Sequence, residues 1–585
     1  MIAAAPDGQD LYAKNCASCH ETLMVIQNHV ALKAMSPEYI VRALTSGPMR
    51  VQAARLTSPE RAAIAEYLTG KSLETASPVT TGMCSSDPPK GIAGPQWNGW
   101  GVDLENTRFQ PANAAGIAAD QVPNLKLKWA FGFGGDFSAF AQPSIAGGRV
   151  YVGSVAGMVY SLDAASGCTY WSFQAGSGVR SAIAMGPSGT VYFGDLHATV
   201  YALDANSGKL IWKTSVEDHP VARVTGTPKL YGGRLYVPVA SREEWLSADA
   251  RYPCCTFRGS VVALDAKTGR QVWKSYTIPD AAKPLSKSKA GTPLWGPSGV
   301  GIWSSPTIDT KRKLLYVGTG DGYSDPATQY SDSILALDLQ TGKIAWARQI
   351  TSGDVFNGNC IQMTPTTCPG KTGPDADFGS SPILRTLPSG RRVLIAGQKS
   401  GIVHALDPDN KGEVLWQTRV GKGGMLGGIQ WGPAADSEAA YVALSDVGLT
   451  LAPGGGVMPN PKVGGGLFAI QLATGEKLWS ALPPEDGCKT PRCSPAQSAA
   501  VTAIPGVVFS GALDGHLRAY STRDGKILWD YDTARKFDTV NGVAANGGAL
   551  DGPGPAVAGG VLVVNSGYGY FNGISGNVLL AFGVE

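Results

Sequence analysis

The sequence predicts an all-β, eight-bladed β-propeller that follows a small all-α domain at the N-terminus. Two features lead to this prediction: a strand–turn–strand unit ending in tryptophan recurs along most of the chain, and a C-x-x-C-H motif with helical surroundings lies near its start. Glycine is abundant, at 76 of 585 residues, and suits the tight turns between short repeated strands. With 43% hydrophobic residues the chain can bury a core, which argues against disorder.

The recurring unit is an apolar strand, a turn that contains Gly, and a second strand that carries Trp. In the clearest copies the turn begins with Asp, and Asp followed a few residues later by Gly is typical of a hairpin. The copies span 161–171, 202–212, 263–273, 336–346, 405–416, 469–479 and 519–529. Another strand pair precedes each copy, so each repeat supplies about four strands, as one propeller blade does.

Two incomplete copies predict how the ring closes. Residues 578–582 look like an eighth copy that stops before its Trp strand, and 126–129 near the start of the repeats resembles 209–212. Joining the first and last strands in one blade removes exposed strand edges. We therefore expect strand 125–131 to close an eight-bladed ring over 123–585; a seven-bladed ring or an open stack is the alternative.

Bulk composition excludes some classes of partner. Charged residues make up 16% of the chain and the net charge is +3, which gives no reason to expect nucleic acid or an anionic membrane surface. No run of about twenty apolar residues is present, so we expect no membrane span. The first ten residues lack a charged region followed by an apolar stretch and do not form a secretory signal, so we expect a mature, exported form.

The cysteine pattern favours an oxidising compartment. Ten cysteines are present, two of them in the C-x-x-C-H motif. The other eight fall into close pairs or are paired by elimination: Cys254 with Cys255, Cys360 with Cys368, Cys488 with Cys493, and Cys84 with Cys168. An even number in such pairs favours disulfides in an exported protein, with free thiols in a cytosolic protein as the alternative.

Cys16, Cys19 and His20 form the C-x-x-C-H motif. Two thiols at this spacing can form thioethers with the vinyl groups of haem, and the histidine can ligate the iron. A helix runs into the motif from Asp10, and Ser58-Pro59-Glu60 opens another. Helix, motif, loop and helix over residues 1–75 resemble a small class I cytochrome c; a metal knuckle is the alternative reading of the motif.

The sixth iron ligand should be a methionine between the motif and the last helix of this domain. Met49 lies in a Gly/Pro loop shortly before that helix, as the distal methionine does in similar cytochromes, and is our candidate. Met35 is better explained as a core residue, and Met24 follows the motif too closely. A packing role for Met49 is the alternative. Residues 76–122, rich in Ser, Thr, Pro and Gly, are predicted to form a linker and covering segment.

The eight tryptophan-docking repeats resemble those of the quinoprotein alcohol dehydrogenases that use pyrroloquinoline quinone (PQQ). With the cytochrome added, the chain is similar to the quinohaemoproteins among them. Repeats of this kind also occur in a non-enzymatic outer-membrane assembly lipoprotein, so the site residues have to decide the function.

The resemblance implies a PQQ and calcium site in blades three and four. Trp303 stands where the family has the floor under the quinone. Asp321 follows Gly-Thr-Gly, where the family has an asparagine that ligates calcium, and a carboxylate oxygen is a ligand of the same kind. Glu243 fits the family's calcium-ligating glutamate by counting, with Glu244 close behind. A core Trp and a turn Asp are the alternatives to these roles.

The resemblance also implies residues that act on the substrate and hold the quinone. Asp354 follows the strand after which the family has its catalytic aspartate, and it is the candidate base because an alcohol proton must leave as hydride moves to the quinone. Lys399 stands where the family has a cation touching the quinone carbonyls. Weaker alignments place Arg180, Thr225 and Gln430 among the cofactor contacts.

Cys254 and Cys255 form a separate case. Neighbouring cysteines can form an eight-membered disulfide ring, and the similar dehydrogenases place such a ring against the quinone. In those enzymes the pair lies in blade two, whereas here it lies in an insertion of blade three. A contact with PQQ and a bracing role in the insertion therefore both stay open.

Domain order indicates the substrate class. Common quinohaemoprotein alcohol dehydrogenases carry the cytochrome at the C-terminus, whereas the N-terminal position is similar to that in polyvinyl alcohol dehydrogenases, which oxidise secondary hydroxyls of a polymer in the periplasm. The resemblance implies that electrons pass through haem c to an external acceptor such as a soluble cytochrome c. The alternatives are a dehydrogenase of small primary, polyether or aromatic alcohols, and a protein-binding propeller with an electron-carrier cytochrome.

Overall fold

Eight antiparallel sheets arranged as propeller blades make up most of the computed structural model: seven have four strands, and blade three has five. This count refers to the described residues, which are 6–21, 32–33, 35, 37–45, 49, 52–73, 81–89, 91–362, 364–451, 457–570 and 573–584. Four two-stranded hairpins lie outside the blades over the same residues. The predicted fold class is confirmed.

The blades follow one another along the chain. Their strands are Ser144–Ala146, Arg149–Gly153, Met158–Asp163 and Thr169–Gln174 in blade one; Ala184–Met185, Thr190–Gly194, Thr199–Asp204 and Leu210–Ser215 in blade two; Ala222–Arg223, Lys229–Tyr231, Arg234–Ser241, Ser260–Asp265 and Gln271–Tyr276 in blade three; Thr307–Asp309, Leu314–Gly318, Ser333–Asp338 and Ile344–Gln349 in blade four; Ile383–Thr386, Arg392–Gly397, Ile402–Asp407 and Glu413–Arg419 in blade five; Ala434–Ala435, Ala439–Ala443, Leu467–Gln471 and Lys477–Ala481 in blade six; Thr502–Ile504, Val507–Gly511, His516–Ser521 and Ile527–Asp532 in blade seven; and Ala556–Ala558, Val561–Ser566, Val578–Gly583 and Lys126–Gly132 in blade eight. The two-stranded hairpins are Lys283–Lys287 with Pro293–Gly296, Ser298–Gly299 with Gly322–Ser324, Leu449–Leu451 with Val457–Pro459, and Lys536–Phe537 with Ala545–Asn546.

The ring closes through the predicted strand. Lys126–Gly132 pairs antiparallel with Val578–Gly583, from Lys126 opposite Gly583 to Gly132 opposite Val578. The first strand of the repeats thus completes the last blade, and Val578–Gly583 is paired on both of its edges.

Neighbouring blades are joined by a tryptophan that packs on a glycine. Gly167, in the turn of blade one, has φ +76°, and a Cβ there would lie 2.6 Å from the ring of Trp129 in blade eight. The Trp129 indole N–H also donates to the Ala164 carbonyl at 3.0 Å. The packing recurs for Trp171 on Gly208, Trp212 on Gly269, Trp273 on Gly342, Trp346 on Gly412, Trp416 on Gly475 and Trp479 on Gly525. Each of these turns needs glycine for its backbone conformation and for the space above it.

The N-terminal domain is helical as predicted. Its described helices are Gly8–Asn15, Ala17–His20, Pro37–Thr45 and Ser58–Thr69. Asp7 caps the first helix, and Thr57 with Glu60 forms a capping box on the last. Met35 is 1% exposed in the core of this domain, which agrees with its prediction as a core residue, while Met24 lies outside the described residues. In the described part of the chain no helix is both long and apolar enough to cross a membrane.

The segment between the domains is fastened to the propeller rather than loose. Arg108, 1% exposed, donates from Nε to the Val501 carbonyl and from Nη2 to Thr502 Oγ1. Its guanidinium also lies over the rings of Trp97 and Trp100, at 5.3 and 4.9 Å from the centroids. The covering role predicted for this segment therefore includes buried polar contacts inside the ring.

The four expected disulfides are formed. They join Cys84 to Cys168, Cys254 to Cys255, Cys360 to Cys368 and Cys488 to Cys493. Cys16 takes no part in a disulfide, as expected for a haem-attachment residue.

The glycine at the ring closure gives a direct test of the packing. We expect Gly167→Ala to lower the free energy of unfolding by roughly 2–4 kcal/mol, because the new methyl group meets both an unfavourable φ and the Trp129 ring. Gly390→Ala is the matched control: Gly390 has φ +81° and nothing within 4 Å, so only the backbone cost of about 1–2 kcal/mol applies. Urea unfolding followed by tryptophan fluorescence would measure both; equal losses would contradict the proposed role of the packing.

Candidate active site

A cavity of about 230 Å³ lies where loops of several blades meet the helix Pro37–Thr45 of the N-terminal domain. Its walls come from loops that precede the first strand of a blade, such as residues 178–180 and 301–303, and from loops that follow the second strand, such as residues 240–245. Tyr39 and Ala43 of the helix complete the lining. The cavity therefore lies between the two domains, and neither domain forms it alone.

The structure brings six of the predicted site residues into this cavity. The lining includes Arg180, Thr225, Trp303, Asp321, Lys399 and Gln430. These residues come from blades two to six and from the loops between them, yet they face one space. Ligand pockets of this kind combine apolar walls with a few convergent polar groups.

One end of the cavity holds Lys399 among carboxylates. Its ammonium group lies 2.6 Å from Asp375 Oδ1 and 2.9 Å from Asp377 Oδ2. Burial alone would lower the pKa of Lys399, but the charges of Asp375, Asp377 and Glu244 outweigh it and raise that pKa well above its ordinary value. Lys399 is thus a fixed cation.

The acids beside Lys399 outnumber it. Burial and the charges of Asp377, Glu244 and Asp375 raise the pKa of Asp321 well above its ordinary value. Burial first, then the charges of Asp377 and Asp354, raise the pKa of Glu244 to about 7 although Lys399 opposes this. The group therefore carries more potential negative charge than one lysine compensates.

A cation would relieve this imbalance. One oxygen each of Asp321, Asp375 and Asp377 lie within 4.8 Å of one another, and all three residues are buried. Oδ2 of Asp321 and Oδ2 of Asp375 have no hydrogen-bond partner among the described residues. Oxygen atoms that are buried and unpartnered are the ligands a hard cation such as Ca²⁺ requires, so the donor set fits calcium.

The floor of the cavity is aromatic. Trp303 is wedged against Gly379, where a Cβ would lie 1.9 Å from the ring, and its ring lies 5.6 Å from the Lys399 ammonium. Trp431 meets Trp303 edge to face with centroids 5.3 Å apart, and its indole N–H donates to Asp551 Oδ1 at 2.5 Å. The floor is thus fixed by packing and can support a planar ring.

Three arginines form a second charged group in the cavity. Arg180, Arg223 and Arg242 all line the wall. Arg180 lies 4.4 Å over the Trp431 ring, and burial followed by the charge of Arg242 lowers the pKa of Arg223 to about 9. Nε of Arg223 has no hydrogen-bond partner in the described part of the chain. Converging cations with an unpartnered buried donor favour an anionic ligand.

The structure does not place Asp354 on the cavity surface. Its carboxylate is fully buried behind residues 373–377 and accepts the backbone N–H groups of Asp375 at 3.2 Å and Ala376 at 2.8 Å. A general base must come within hydrogen-bond reach of the proton it takes, so the catalytic role of Asp354 stays a prediction. Asp377, which the sequence analysis did not single out, lines the cavity.

Glu243 also faces away from the cavity, and Glu244 lines it instead. The Glu243 carboxylate accepts the backbone N–H groups of Thr256 at 2.9 Å and Phe257 at 2.7 Å, so it holds the blade-three insertion in place. The two residues begin a short helix, Glu243–Leu246, whose turn points them in different directions. This geometry goes against Glu243 as a metal ligand and favours the neighbouring Glu244.

The disulfide of Cys254 and Cys255 is formed but does not line the cavity. Both residues are almost fully buried in a cluster with Phe257 and Tyr323, beneath the insertion. Of the two roles left open by the sequence, the bracing role agrees with this position and contact with a ligand in the cavity does not.

The N-terminal domain brings its predicted iron ligand close to the cavity wall. The Met49 N–H donates to the carbonyl of Ala43, whose side chain lines the cavity, at 2.9 Å. Tyr39 packs edge to face on Phe137 of the propeller with centroids 5.1 Å apart. Cys16 is the N-cap of the short helix Ala17–His20 and His20 is its last residue, while the side chain of Cys19 lies outside the described residues.

Sequence reasoning missed several residues of this site. Asp375 and Asp377 form an Asp-x-Asp pair after Gly-Pro and shortly before a blade-five strand, and that spacing was the one available signal. Trp431 and Arg223 carried no local signal, because what distinguishes them is the ring geometry that brings distant loops together.

Comparisons with known proteins agree on both parts of the chain. Residues 100–186, 157–366 and 399–579 match the family PQQ_2, described as outer membrane protein assembly factor BamB, and residues 3–68 match the family described as cytochrome C oxidase, cbb3-type, subunit III. A polyvinylalcohol dehydrogenase from Pseudomonas sp. is 40% identical over 99% of this chain and 94% of its own length. One from Sphingopyxis sp. is 38% identical over 99% of this chain and 93% of its own. The solved quinohemoprotein alcohol dehydrogenase of Comamonas testosteroni has the same fold, with TM-score 0.61, 21% identity, and 84% of this chain and 80% of that one covered.

The acidic group of the cavity predicts a pH dependence for the metal-free protein. The pKa of Glu244, about 7 against an ordinary 4.5, means that the native state keeps a proton here that the unfolded chain loses. Its stabilising contribution is therefore full below pH 4.5 and lost as the pH rises through 7. We expect a lower melting temperature at pH 8 than at pH 5.5, and a smaller difference in Glu244→Gln, which stays neutral.

The matched control is Glu485→Gln, which removes an exposed carboxylate outside the cavity and should leave the difference unchanged. Melting curves in a chelator give the measurement. A difference of the same size in Glu244→Gln as in the parent protein would contradict the assignment.

Proposed function

Because the chain belongs to the polyvinyl alcohol dehydrogenase family of quinohaemoproteins, we propose that it oxidises the secondary hydroxyls of polyvinyl alcohol to ketones, with PQQ, Ca²⁺ and haem c. One observation supports this most strongly: a single cavity joins an aromatic floor, a lysine among carboxylates and three arginines beneath a helix of the cytochrome domain. A protein-binding propeller would have no use for that set of buried charges.

PQQ is a planar, anionic quinone, and the cavity fits such a molecule. Trp303 would support its ring, and Arg180, Arg223 and Arg242 would hold its carboxylates. Lys399 would stand beside the quinone oxygens, where a fixed cation favours the more negative, reduced form. When bound, PQQ supplies a two-electron acceptor for the alcohol, and haem c supplies a one-electron acceptor.

Calcium would be held by Glu244, Asp321 and Asp375. The two aspartates offer the unpartnered buried oxygens, and Glu244 lines the same cavity. A divalent cation here would neutralise the excess negative charge and polarise an oxygen bound next to it.

We assign the role of general base to Asp377. Its carboxylate faces the cavity, one oxygen accepts the Asp321 N–H at 2.7 Å, and the other lies against Lys399. These contacts fix its orientation and leave it within reach of a hydroxyl in the cavity. Taking the hydroxyl proton while the C–H bond is oxidised is the step this group performs.

The proposed iron ligand Met49 lies next to the cavity wall, since its N–H donates to the carbonyl of the wall residue Ala43. A haem held by Met49 would therefore be placed to accept electrons from a quinone in the cavity. Cys16 and Cys19 would attach the haem, and His20 would be the other iron ligand. Fusion holds donor and acceptor at high effective concentration. We propose that a soluble cytochrome c accepts the electrons from the haem. We also propose that the protein is periplasmic, because its four disulfides are stable in an oxidising compartment.

The proposed function is tested by following the haem spectrum without oxygen. After addition of PQQ and Ca²⁺ to the oxidised protein, polyvinyl alcohol should reduce the haem, and omitting PQQ should abolish this. Reduction by another alcohol and not by the polymer would keep the enzyme class and change the substrate. No reduction by any alcohol, with no PQQ bound, would leave an electron-carrier propeller.

A pair of variants tests the base. Asp377→Asn should lower kcat by about 10²–10⁴-fold with pentane-2,4-diol, because no carboxylate then faces the hydroxyl at this position. Asp354→Asn should keep kcat within about tenfold, since Asp354 does not line the cavity. PQQ binding, measured from its absorbance after gel filtration, should persist in both. The opposite order of effects would return the role to Asp354.

A further inference from the structure

A shallow depression with a volume of about 30 Å³ adjoins the active-site cavity. The two share Leu426, Gln430, Trp431 and Tyr570 as lining. Beyond these shared residues the depression is lined by loops of blades six and seven, including Val447, Pro459 and Leu513. We call this depression the arm; it lies beside the active-site cavity, and Trp431 contacts both.

A hairpin of blade six continues the wall of this arm. Its strands Leu449–Leu451 and Val457–Pro459 pair with Leu449 opposite Pro459 and Leu451 opposite Val457. Directly opposed residues, and residues two apart on one strand, share a face of a β-sheet. Leu449, Leu451, Val457 and Pro459 thus lie on one face, which we call the hairpin face. Because Pro459 lines the arm, this face extends the arm outward.

Exposure rises along the hairpin face. Pro459 is buried, Leu449 and Val457 are half-buried, and Leu451 is 73% exposed. Leu482, 67% exposed, and Val463, 42% exposed, lie in other loops of the same blade. The hairpin is stabilised at its base, since the Asn460 N–H donates to the Gly448 carbonyl at 2.7 Å. An apolar surface held in place and continuous with an active site indicates a binding surface.

The position of this arm suits a long substrate. A hydroxyl in the middle of a chain reaches an enclosed site only if the chain can leave on two sides. The main cavity reaches Val155 and Leu196, in blades one and two, while the arm reaches blades six and seven. An alkyl chain with a hydroxyl on every second carbon can turn its methylene edge to an apolar wall and its hydroxyls to water.

We propose that the arm and the hairpin face bind the polyvinyl alcohol chain on one side of the reacting unit. The proposal rests on the proposed function and adds the residues that make a polymer a better substrate than a short alcohol. Leu449 and Leu451 supply contact area along the chain and take no part in the oxidation.

The test compares a polymer with a short secondary diol. For the PQQ- and calcium-loaded protein we expect Leu449→Ser/Leu451→Ser to raise the KM for polyvinyl alcohol about tenfold and leave kcat unchanged. Constants for pentane-2,4-diol, too short to reach the hairpin, should not change. The matched control is Ile211→Ser/Ile527→Ser, which removes two side chains that are 52% and 55% exposed on the outer strands of blades two and seven.

Direct binding gives a second readout. Protein without PQQ should be retarded by immobilised polyvinyl alcohol, and the Leu449/Leu451 variant less so than the control variant. Unchanged polymer KM and retardation in the variant would overturn the proposal while leaving the proposed function intact. A parent protein that oxidises the diol and not the polymer would overturn both this proposal and the polymer as substrate.

Discussion

The packing of a blade's tryptophan on a glycine of the next blade, which occurs for seven of the eight blade tryptophans, is the contact on which the rest of the structure depends. It recurs from Trp129 on Gly167 to Trp479 on Gly525, and it sets the spacing between blades. The walls of the cavity are formed by loops that belong to different blades. A change in blade spacing would therefore move Lys399, Asp321 and Arg180 relative to one another. Precise catalysis on loops requires a rigid scaffold of this kind.

The cavity itself is governed by a balance of charges. Several carboxylates surround one lysine, and three arginines line the same cavity. Buried charges that are not fully paired cost free energy in the empty protein. A cation at the acidic end and an anionic quinone toward the arginines would remove much of that cost. The free energy that these incompletely paired charges cost in the ligand-free protein thus favours the binding of its cofactors.

The sequence predicted what repeats or obeys short-range spacing. The blade copies, the closing strand 125–131 and the C-x-x-C-H motif all follow from such patterns, and the ring confirmed the first two. The match to motif positions of the quinoprotein dehydrogenases also identified Trp303, Asp321 and Lys399, which all line the cavity. It did not distinguish Glu243 from Glu244, and it missed Asp377. The first choice depends on the direction of a side chain within a short helix, and the second on which loop meets the cavity; no periodic pattern encodes either.

The most direct test is a crystal structure of the protein with PQQ and Ca²⁺, using anomalous scattering to locate the metal. The quinone should lie on Trp303 with its carboxylates toward Arg180 and Arg223, and the metal should lie about 2.3–2.6 Å from oxygens of Glu244 and Asp321. A metal bound by Glu243 or Asp354, or a quinone outside the cavity beneath the cytochrome helix, would contradict the account.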